Sequence, residues 1–256
     1  MSFVRSIVFA VLFYGWSTLL SPLYVPLMLL PRRGFWFMAW VWVRSCIAIA
    51  NATVGIRCEI RGSENLPDGA FIVASKHQSA WDTLIYNVVF EDCAYVLKRE
   101  LFWFPFFGWF LWRVGMIGID RAGGATALKR MVRDTREWLA QGRKIIIFPQ
   151  GTRTVPGAKR AYLPGVAALY GQCDVPVVPV ALNSGMFWPR RKFVKRRGTI
   201  VLEFLPPIMP GLSRREFAAQ LEERIETATR KIEAEAADRY GIELETEPDS
   251  VAETAR

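Results

Sequence analysis

His77 is the only histidine in the chain, and it stands in Ser75-Lys76-His77-Gln78-Ser79-Ala80-Trp81-Asp82-Thr83. Within a regular helix, residues five apart lie about 140° apart around the axis, so His77 and Asp82 could not face each other there. They can meet if His77 sits in the loop before a helix and Asp82 in its first turn. Ser79 is a natural N-cap for that helix, with Asp82 at its third position. The helix N-terminus would keep the Asp82 carboxylate ionised. An ionised carboxylate beside an imidazole fixes its tautomer and stabilises the imidazolium, which is what a general base needs. The competing reading is purely structural: Asp82 completes a capping box with Ser79, and His77 is a turn residue.

Three further segments end in polar or basic residues. Gly115-Met116-Ile117-Gly118-Ile119 runs into Asp120-Arg121, Lys144-Ile145-Ile146-Ile147-Phe148 into Pro149-Gln150-Gly151-Thr152-Arg153, and Val177–Leu182 into Asn183-Ser184-Gly185. Arginine offers a planar fork of donors, and glycine lets backbone N–H groups approach an oxyanion. Arg121, Gly151, Thr152 and Arg153 are thus candidates for holding a phosphate; surface arginines in loops are the plain alternative. One histidine excludes a zinc site built on two or more. Cys46, Cys58, Cys93 and Cys173 are scattered without a Cys-x-x-Cys pair, so they read as buried, reduced thiols.

These segments need a scaffold that brings strand ends together. From about residue 57, short Val/Ile/Phe-rich runs alternate with helical ones. Strands are expected at Cys58–Arg61, Ala70–Ala74, Ala94–Lys98, Gly115–Ile119, Lys144–Phe148, Val177–Leu182 and Thr199–Phe204. Helices are expected at Trp81–Phe90, Phe102–Arg113, Gly124–Ala140 and Pro164–Tyr170, and a long one after the Ser213-x-x-Glu216 start signal. The alternation predicts an α/β domain with a mixed or mostly parallel central sheet flanked by helices. In such sheets ligands collect at the carboxyl ends of the strands.

Residues 1–56 read as a membrane-anchoring helical segment, 57–240 as the α/β domain and 241–256 as a flexible tail with five acidic residues and one basic. The run Ser6–Pro31 has 26 residues and no charge, more than the roughly 20 a spanning helix requires. A second apolar stretch, Gly34–Ile56, is interrupted only by Arg44. A straight span is one reading. A bent two-helix hairpin in one leaflet is the other, with Pro22, Pro26 and Pro31 breaking the first run. The chain is 52% hydrophobic and carries +9, a combination that points to anionic membranes or phosphorylated substrates before nucleic acid. Eight of the eleven residues Phe102–Trp112 are aromatic, which reads as a buried core helix or as a segment that dips into membrane or touches an acyl chain. Six of the eight residues Arg190–Arg197 are basic, reading as a solvated loop or as a contact for lipid headgroups or an acidic carrier protein.

In this order and spacing, the four segments resemble the four blocks of the glycerolipid acyltransferases with a His-x4-Asp motif, and among them the bacterial 1-acylglycerol-3-phosphate (lysophosphatidic acid) acyltransferases. The likeness spans roughly residues 57–204. His77 and Asp82 match the His-x4-Asp pair, with Ser79 between them. Arg121 matches the basic end of the second block, Phe148, Pro149, Gly151, Thr152 and Arg153 the third, and Val178, Pro179 and Val180 the fourth. Two positions depart: Lys76 stands where the family often has Asn, and Gln150 where it usually has Glu. Gln keeps the shape and an acceptor oxygen but loses the charge, so a supporting hydrogen-bonding role is expected of it and Gln150→Glu should be tolerated.

The resemblance implies acyl transfer from acyl-CoA or acyl-acyl-carrier-protein to the sn-2 hydroxyl of 1-acylglycerol 3-phosphate, giving phosphatidic acid. His77 would be the base, Asp82 its orienter, and Arg153, Arg121 and the Gly151 turn the phosphate grip. It implies no metal or other cofactor. It also implies membrane lipids as partners and a place on the cytoplasmic face of a membrane, the inner membrane of a bacterium. The rival readings are transfer to another acceptor, such as glycerol 3-phosphate or an aminolipid, and a non-catalytic lipid-binding protein. An esterase is disfavoured, because the chain has no Gly-x-Ser-x-Gly elbow.

Overall fold

Two apolar helices open the chain, α1 (Ser2–Leu27) and α2 (Arg32–Val54). The computed structural model describes residues 1–244. Both helices are long and apolar enough to cross a membrane, and they pack on each other as a hairpin. Pro22 and Pro26 lie inside α1 without ending it, so of the three prolines read as breaks in the hairpin alternative only Pro31 stands at one; the turn falls at residues 28–31, with Pro31 as the N-cap of α2. A proline inside a helix frees only local carbonyls, and apolar helices that pack on neighbours accommodate this.

The chain then alternates. β1 (Ile56–Arg61), β2 (Ile72–Ser75), α3 (Asp82–Val89), β3 (Ala94–Lys98), α4 (Phe107–Arg113), β4 (Ile117–Ile119) and α5 (Gly124–Leu139) form its first part. β5 (Ile145–Ile147), α6 (Pro164–Cys173), β6 (Val177–Leu182), α7 (Ser184–Phe187), β7 (Gly198–Phe204) and α8 (Arg214–Tyr240) follow. The strands form one mixed sheet, as the sequence pattern predicts, and the structure sets their order as β1-β7-β6-β2-β5-β3-β4. β6, β2, β5, β3 and β4 are mutually parallel, so their carboxyl ends share one edge. β7 runs antiparallel to β6, and β1 pairs parallel with β7.

Successive strand residues point to opposite faces, and each face has its own helical layer. Val73, Ile146 and Val178 pack with Leu84, Ile85 and Tyr86 of α3, and with Val43, Cys46, Ala50 and Val54 of α2. Ile72, Ala74, Ile145, Ile147 and Val177 face Met131 of α5, Leu169 of α6, and Phe217, Leu221 and Ile225 of α8. The inner stripe of α2 therefore belongs to the same core as the sheet. Arg32, at the start of α2, adds a two-pronged ion pair to Asp92, with contacts of 2.5 and 2.7 Å.

α8 starts on the expected capping box: Ser213 Oγ accepts from the Glu216 N–H, and the Glu216 carboxylate accepts from the Ser213 N–H. The tail read at 241–256 lies outside the described residues from 245 on; before that point, Ile242 and Leu244 pack against the core.

The aromatic run is not one helix and not a core element. Pro105 and a left-handed Phe106 (φ 61°) break it before α4. Trp103 and Trp112 are 70% and 69% exposed, so the buried-helix reading fails. Of the four cysteines, Cys58 is exposed, against expectation, because β1 is an edge strand.

Candidate active site

His77 follows the carboxyl end of β2 in an irregular loop, and Asp82 opens α3. His77 Nδ1 lies 2.9 Å from Asp82 Oδ2. The same oxygen accepts the backbone N–H groups of Gln78 (2.7 Å) and Ser79 (2.8 Å). Ser79 Oγ accepts from the Trp81 N–H at 3.1 Å. The expected cap does not form: α3 begins at Asp82 with Trp81 as its N-cap and no side-chain cap bond, so Ser79 and Asp82 brace the loop ahead of the helix rather than closing a capping box, because the turn at residues 79–81 delays the first helical turn. Asp82 is fully buried; its Oδ2 receives these two backbone donors, while its Oδ1 is buried without a partner. An acceptor-only carboxylate at Nδ1 places the proton there and leaves Nε2 as the basic nitrogen. The His77 ring stacks on Phe148 with centroids 3.9 Å apart, which fixes its plane.

The turn after β5 is tied to this loop. The Thr154 N–H (2.8 Å) and hydroxyl (3.1 Å) both donate to the His77 carbonyl. The threonine that joins the two segments is therefore Thr154, whereas Thr152 sits half-buried in the turn. Gly151 has φ +67°, a conformation that disfavours any side chain. Arg121, after β4, donates from its guanidinium to the Gly151 carbonyl. Asp120 pairs with Arg99 at 2.9 Å and accepts the Ala122 N–H, which shapes the turn that presents Arg121.

Arg153 belongs to a larger cluster than the sequence suggests. Arg190 Nη1 donates to the Arg153 carbonyl at 2.8 Å, while Arg190 Nε is buried without a partner. Burial, with Arg191, Arg153 and Arg160 nearby, pushes the Arg190 guanidinium below its ordinary pKa. Burial does the same to Arg121, where Glu100 works in the other direction and Arg160 adds to the fall. Arg121, Arg153, Arg160 and Arg190 make a site short of negative charge, suited to a phosphate. Neither Arg160 nor Arg190 follows a strand end, so the strand-end rule does not point to them; Arg190 is marked in the sequence only as the start of the basic run.

The two unusual positions meet behind His77. Lys76 is 2% exposed, and its ammonium contacts both carboxylate oxygens of Glu226 at 2.8 Å. Glu226 also accepts from Gln150 Nε2 (3.3 Å) and from the Tyr162 hydroxyl (3.0 Å), while Gln150 Oε1 is buried without a partner. Two turns on along α8, Glu233 accepts from Gln78 Nε2 at 2.5 Å and from the Gly157 N–H at 3.1 Å. Gln78 Oε1 in turn accepts the Gly185 N–H at 3.1 Å. Burial raises Glu233 above the usual carboxylate range, against the pull of Gln78, Lys76 and Gly157. One face of α8 thus clamps the loops after β2, β5 and β6. Its sequence signal is two glutamates seven apart, each next to a residue of the apolar stripe, Ile225 and Ile232. The expected tolerance of Gln150→Glu does not follow from this geometry, because a second carboxylate would face Glu226 in a buried setting.

Residues 57–183 match the Acyltransferase family model. A 1-acyl-sn-glycerol-3-phosphate acyltransferase of Pseudomonas aeruginosa is 35% identical over 227 residues, covering 87% of this chain and 88% of that protein. The alpha 1-acyl-sn-glycerol-3-phosphate acyltransferase of Mus musculus is 31% identical, covering 78% of this chain and 71% of that one. The crystal structure of PlsC, the 1-acyl-sn-glycerophosphate acyltransferase of Thermotoga maritima, shares the fold. Its TM-score is 0.74 at 22% identity, over 91% of this chain and 98% of that one.

Proposed function

The chain belongs to the 1-acylglycerol-3-phosphate acyltransferase family, and on that premise we propose that it moves an acyl group from a thioester donor to the sn-2 hydroxyl of 1-acylglycerol 3-phosphate. The observation that carries the mechanism is the 2.9 Å contact between His77 Nδ1 and Asp82 Oδ2, which leaves Nε2 basic. Nε2 takes the proton of the acceptor hydroxyl as its oxygen attacks the thioester carbonyl. The tetrahedral intermediate collapses, the carbon–sulfur bond breaks, and the His77 imidazolium returns the proton to the leaving thiolate. Asp82 stabilises that imidazolium in the meantime. The substrate hydroxyl is the nucleophile, so no acyl-enzyme forms.

Arg153 and Arg121, with Arg160 and Arg190 around them, hold the acceptor phosphate. The α1–α2 hairpin and the exposed aromatic run keep the site at the lipid surface, with the α/β domain on the cytoplasmic side, where acyl-CoA or acyl-acyl-carrier-protein is supplied. An apolar groove of about 450 Å³, lined by Met28, Phe102, Gly108, Trp109 and Trp112, lies between the hairpin turn and that run and offers contact for an acyl chain. Incubating the purified protein with a labelled acyl donor and a panel of lysolipids, followed by thin-layer chromatography, tests this reading. Phosphatidic acid is the expected product. Acylation of glycerol 3-phosphate or an aminolipid instead, or binding without turnover, would overturn it.

A further inference from the structure

The base of the hairpin carries charge that acyl transfer does not use. Arg5 of α1, Asn51 and Thr53 of α2, Arg57 of β1 and Arg197 before β7 line an open pocket of about 280 Å³. The three arginines come from distant parts of the sequence. Gly55, which ends α2 at φ +83°, makes their approach feasible: a Cβ there would stand 3.0 Å from Arg197 Cγ, so the Arg197 stem lies across the glycine.

Among the described residues, no carboxylate pairs with Arg5, Arg57 or Arg197. Arg32, Arg61 and Arg99 each have one. Three guanidinium groups around one pocket repel one another, and an oxyanion with several acceptor oxygens relieves that repulsion through forked contacts.

The position indicates the source of the oxyanion. β7 is antiparallel to β6, so Arg197 lies at the sheet edge where β2 and β6 end, the edge that carries His77. The first turns of α1 beside it expose Phe3, Val4, Ile7 and Val8. The basic segment is pinned to these turns: the Lys195 N–H donates to Ser6 Oγ at 2.9 Å, and Phe193 packs against Phe3 with ring centroids 5.6 Å apart. Apolar helix surface and unpaired arginines therefore meet at one level, as they do for a lipid whose chains lie on the helix and whose phosphate faces the arginines.

We propose that Arg5, Arg57 and Arg197 bind the phosphate of an anionic membrane phospholipid, at a site separate from that of the acyl acceptor. Native mass spectrometry of the full chain in neutral detergent, titrated with dihexanoyl-phosphatidylglycerol and with inorganic phosphate, tests this. One lipid should bind per chain. Arg57→Gln with Arg197→Gln should weaken it at least tenfold, and Arg5→Gln alone at least threefold, with unchanged thermal unfolding. Arg191→Gln with Arg196→Gln, equal in charge and outside the pocket, should change it less than twofold, as should Arg153→Gln. Inorganic phosphate binding as tightly as the lipid, with the same dependence on Arg57 and Arg197, would make the pocket a free-phosphate site and overturn the lipid assignment. Equal losses in both double variants, or a loss that follows Arg153, would overturn the site itself.

Discussion

Asp82 Oδ2 meets His77 Nδ1 at 2.9 Å with the oxygen it also uses to receive the N–H groups of Gln78 and Ser79. The carboxylate that ties down the loop at the helix start is thereby also the one that contacts the imidazole. The structural role and the proposed orienting role of Asp82, alternatives in the sequence, thus fall on one oxygen that braces the loop ahead of α3. A substitution can still separate them by their chemistry.

Asp82→Asn keeps an acceptor oxygen for the backbone N–H groups but favours the wrong imidazole tautomer and cannot stabilise the imidazolium. Turnover should fall on the order of 10³–10⁴-fold, by analogy with the handling of the same problem in serine proteases. His77→Ala should be at least as damaging, and the double variant little worse than either single one. Ser79→Ala, which removes only the acceptor of the Trp81 N–H, should cost about 1 kcal/mol of stability. Turnover and thermal unfolding of all four variants decide the matter. Near-wild-type turnover in Asp82→Asn, or a loss that merely tracks unfolding, would leave Asp82 as a brace of the loop alone.

Arg153→Ala should raise KM for the lysophospholipid with kcat little changed, because a phosphate contact present in ground and transition states is uniform binding. A charge-assisted contact of about 1.5–3 kcal/mol corresponds to roughly 10- to 100-fold. Arg190→Ala should act in the same direction, since Arg190 braces the Arg153 carbonyl. Steady-state kinetics with each substrate varied in turn are the check. A rise confined to KM for the acyl donor would reassign the cluster to that substrate.

Gln150→Glu should now be damaging, because Gln150 Nε2 lies 3.3 Å from Glu226 and only Lys76 offsets charge there. Combining it with Glu226→Gln moves the carboxylate across the contact while keeping one charge for Lys76. The double variant should recover most of the lost stability. Denaturant unfolding of the two singles and the double measures this coupling, and simple additivity would mean that the two side chains do not interact.

Removing residues 1–56 should leave an aggregating remainder rather than a released domain. Val43, Cys46, Ala50 and Val54 belong to the core that covers Val73, Ile146 and Val178, and stripping them exposes a large contiguous apolar face. Size-exclusion chromatography of the truncated chain tests it, and a monodisperse fragment with cooperative unfolding would show that the hairpin is dispensable for folding. The full chain should partition into membranes and need detergent for extraction.

Much of this protein is written locally. Hydrophobic period and turn residues mark all seven strands to within a few residues, because buried strands need Val, Ile and Phe wherever they sit in the chain. The capping box at Ser213 and the pairing of His77 with Asp82 are equally legible, since both depend on residues a few positions apart. Convergence of Arg121 on the Gly151 turn follows from one further rule, that parallel strands bring their carboxyl ends to one edge.

Contacts between residues far apart in sequence are another matter. Lys76 and Glu226 are 150 positions apart, and Gln78 and Glu233 are 155. The one local mark of these glutamates is their place beside Ile225 and Ile232 of the apolar stripe, and it does not say what they touch. Only when α8 lies against the loops after β2 and β5 does Glu233 become buried and Glu226 largely covered, and loss of water turns an ordinary surface carboxylate into one that must have a partner. The same holds for Arg160 and Arg190, which join Arg153 through the packing of loops, and for Pro22 and Pro26. Local rules predict that those two prolines break a helix, whereas the fold keeps α1 intact because apolar surroundings and the packing of α2 along it favour the unbroken form.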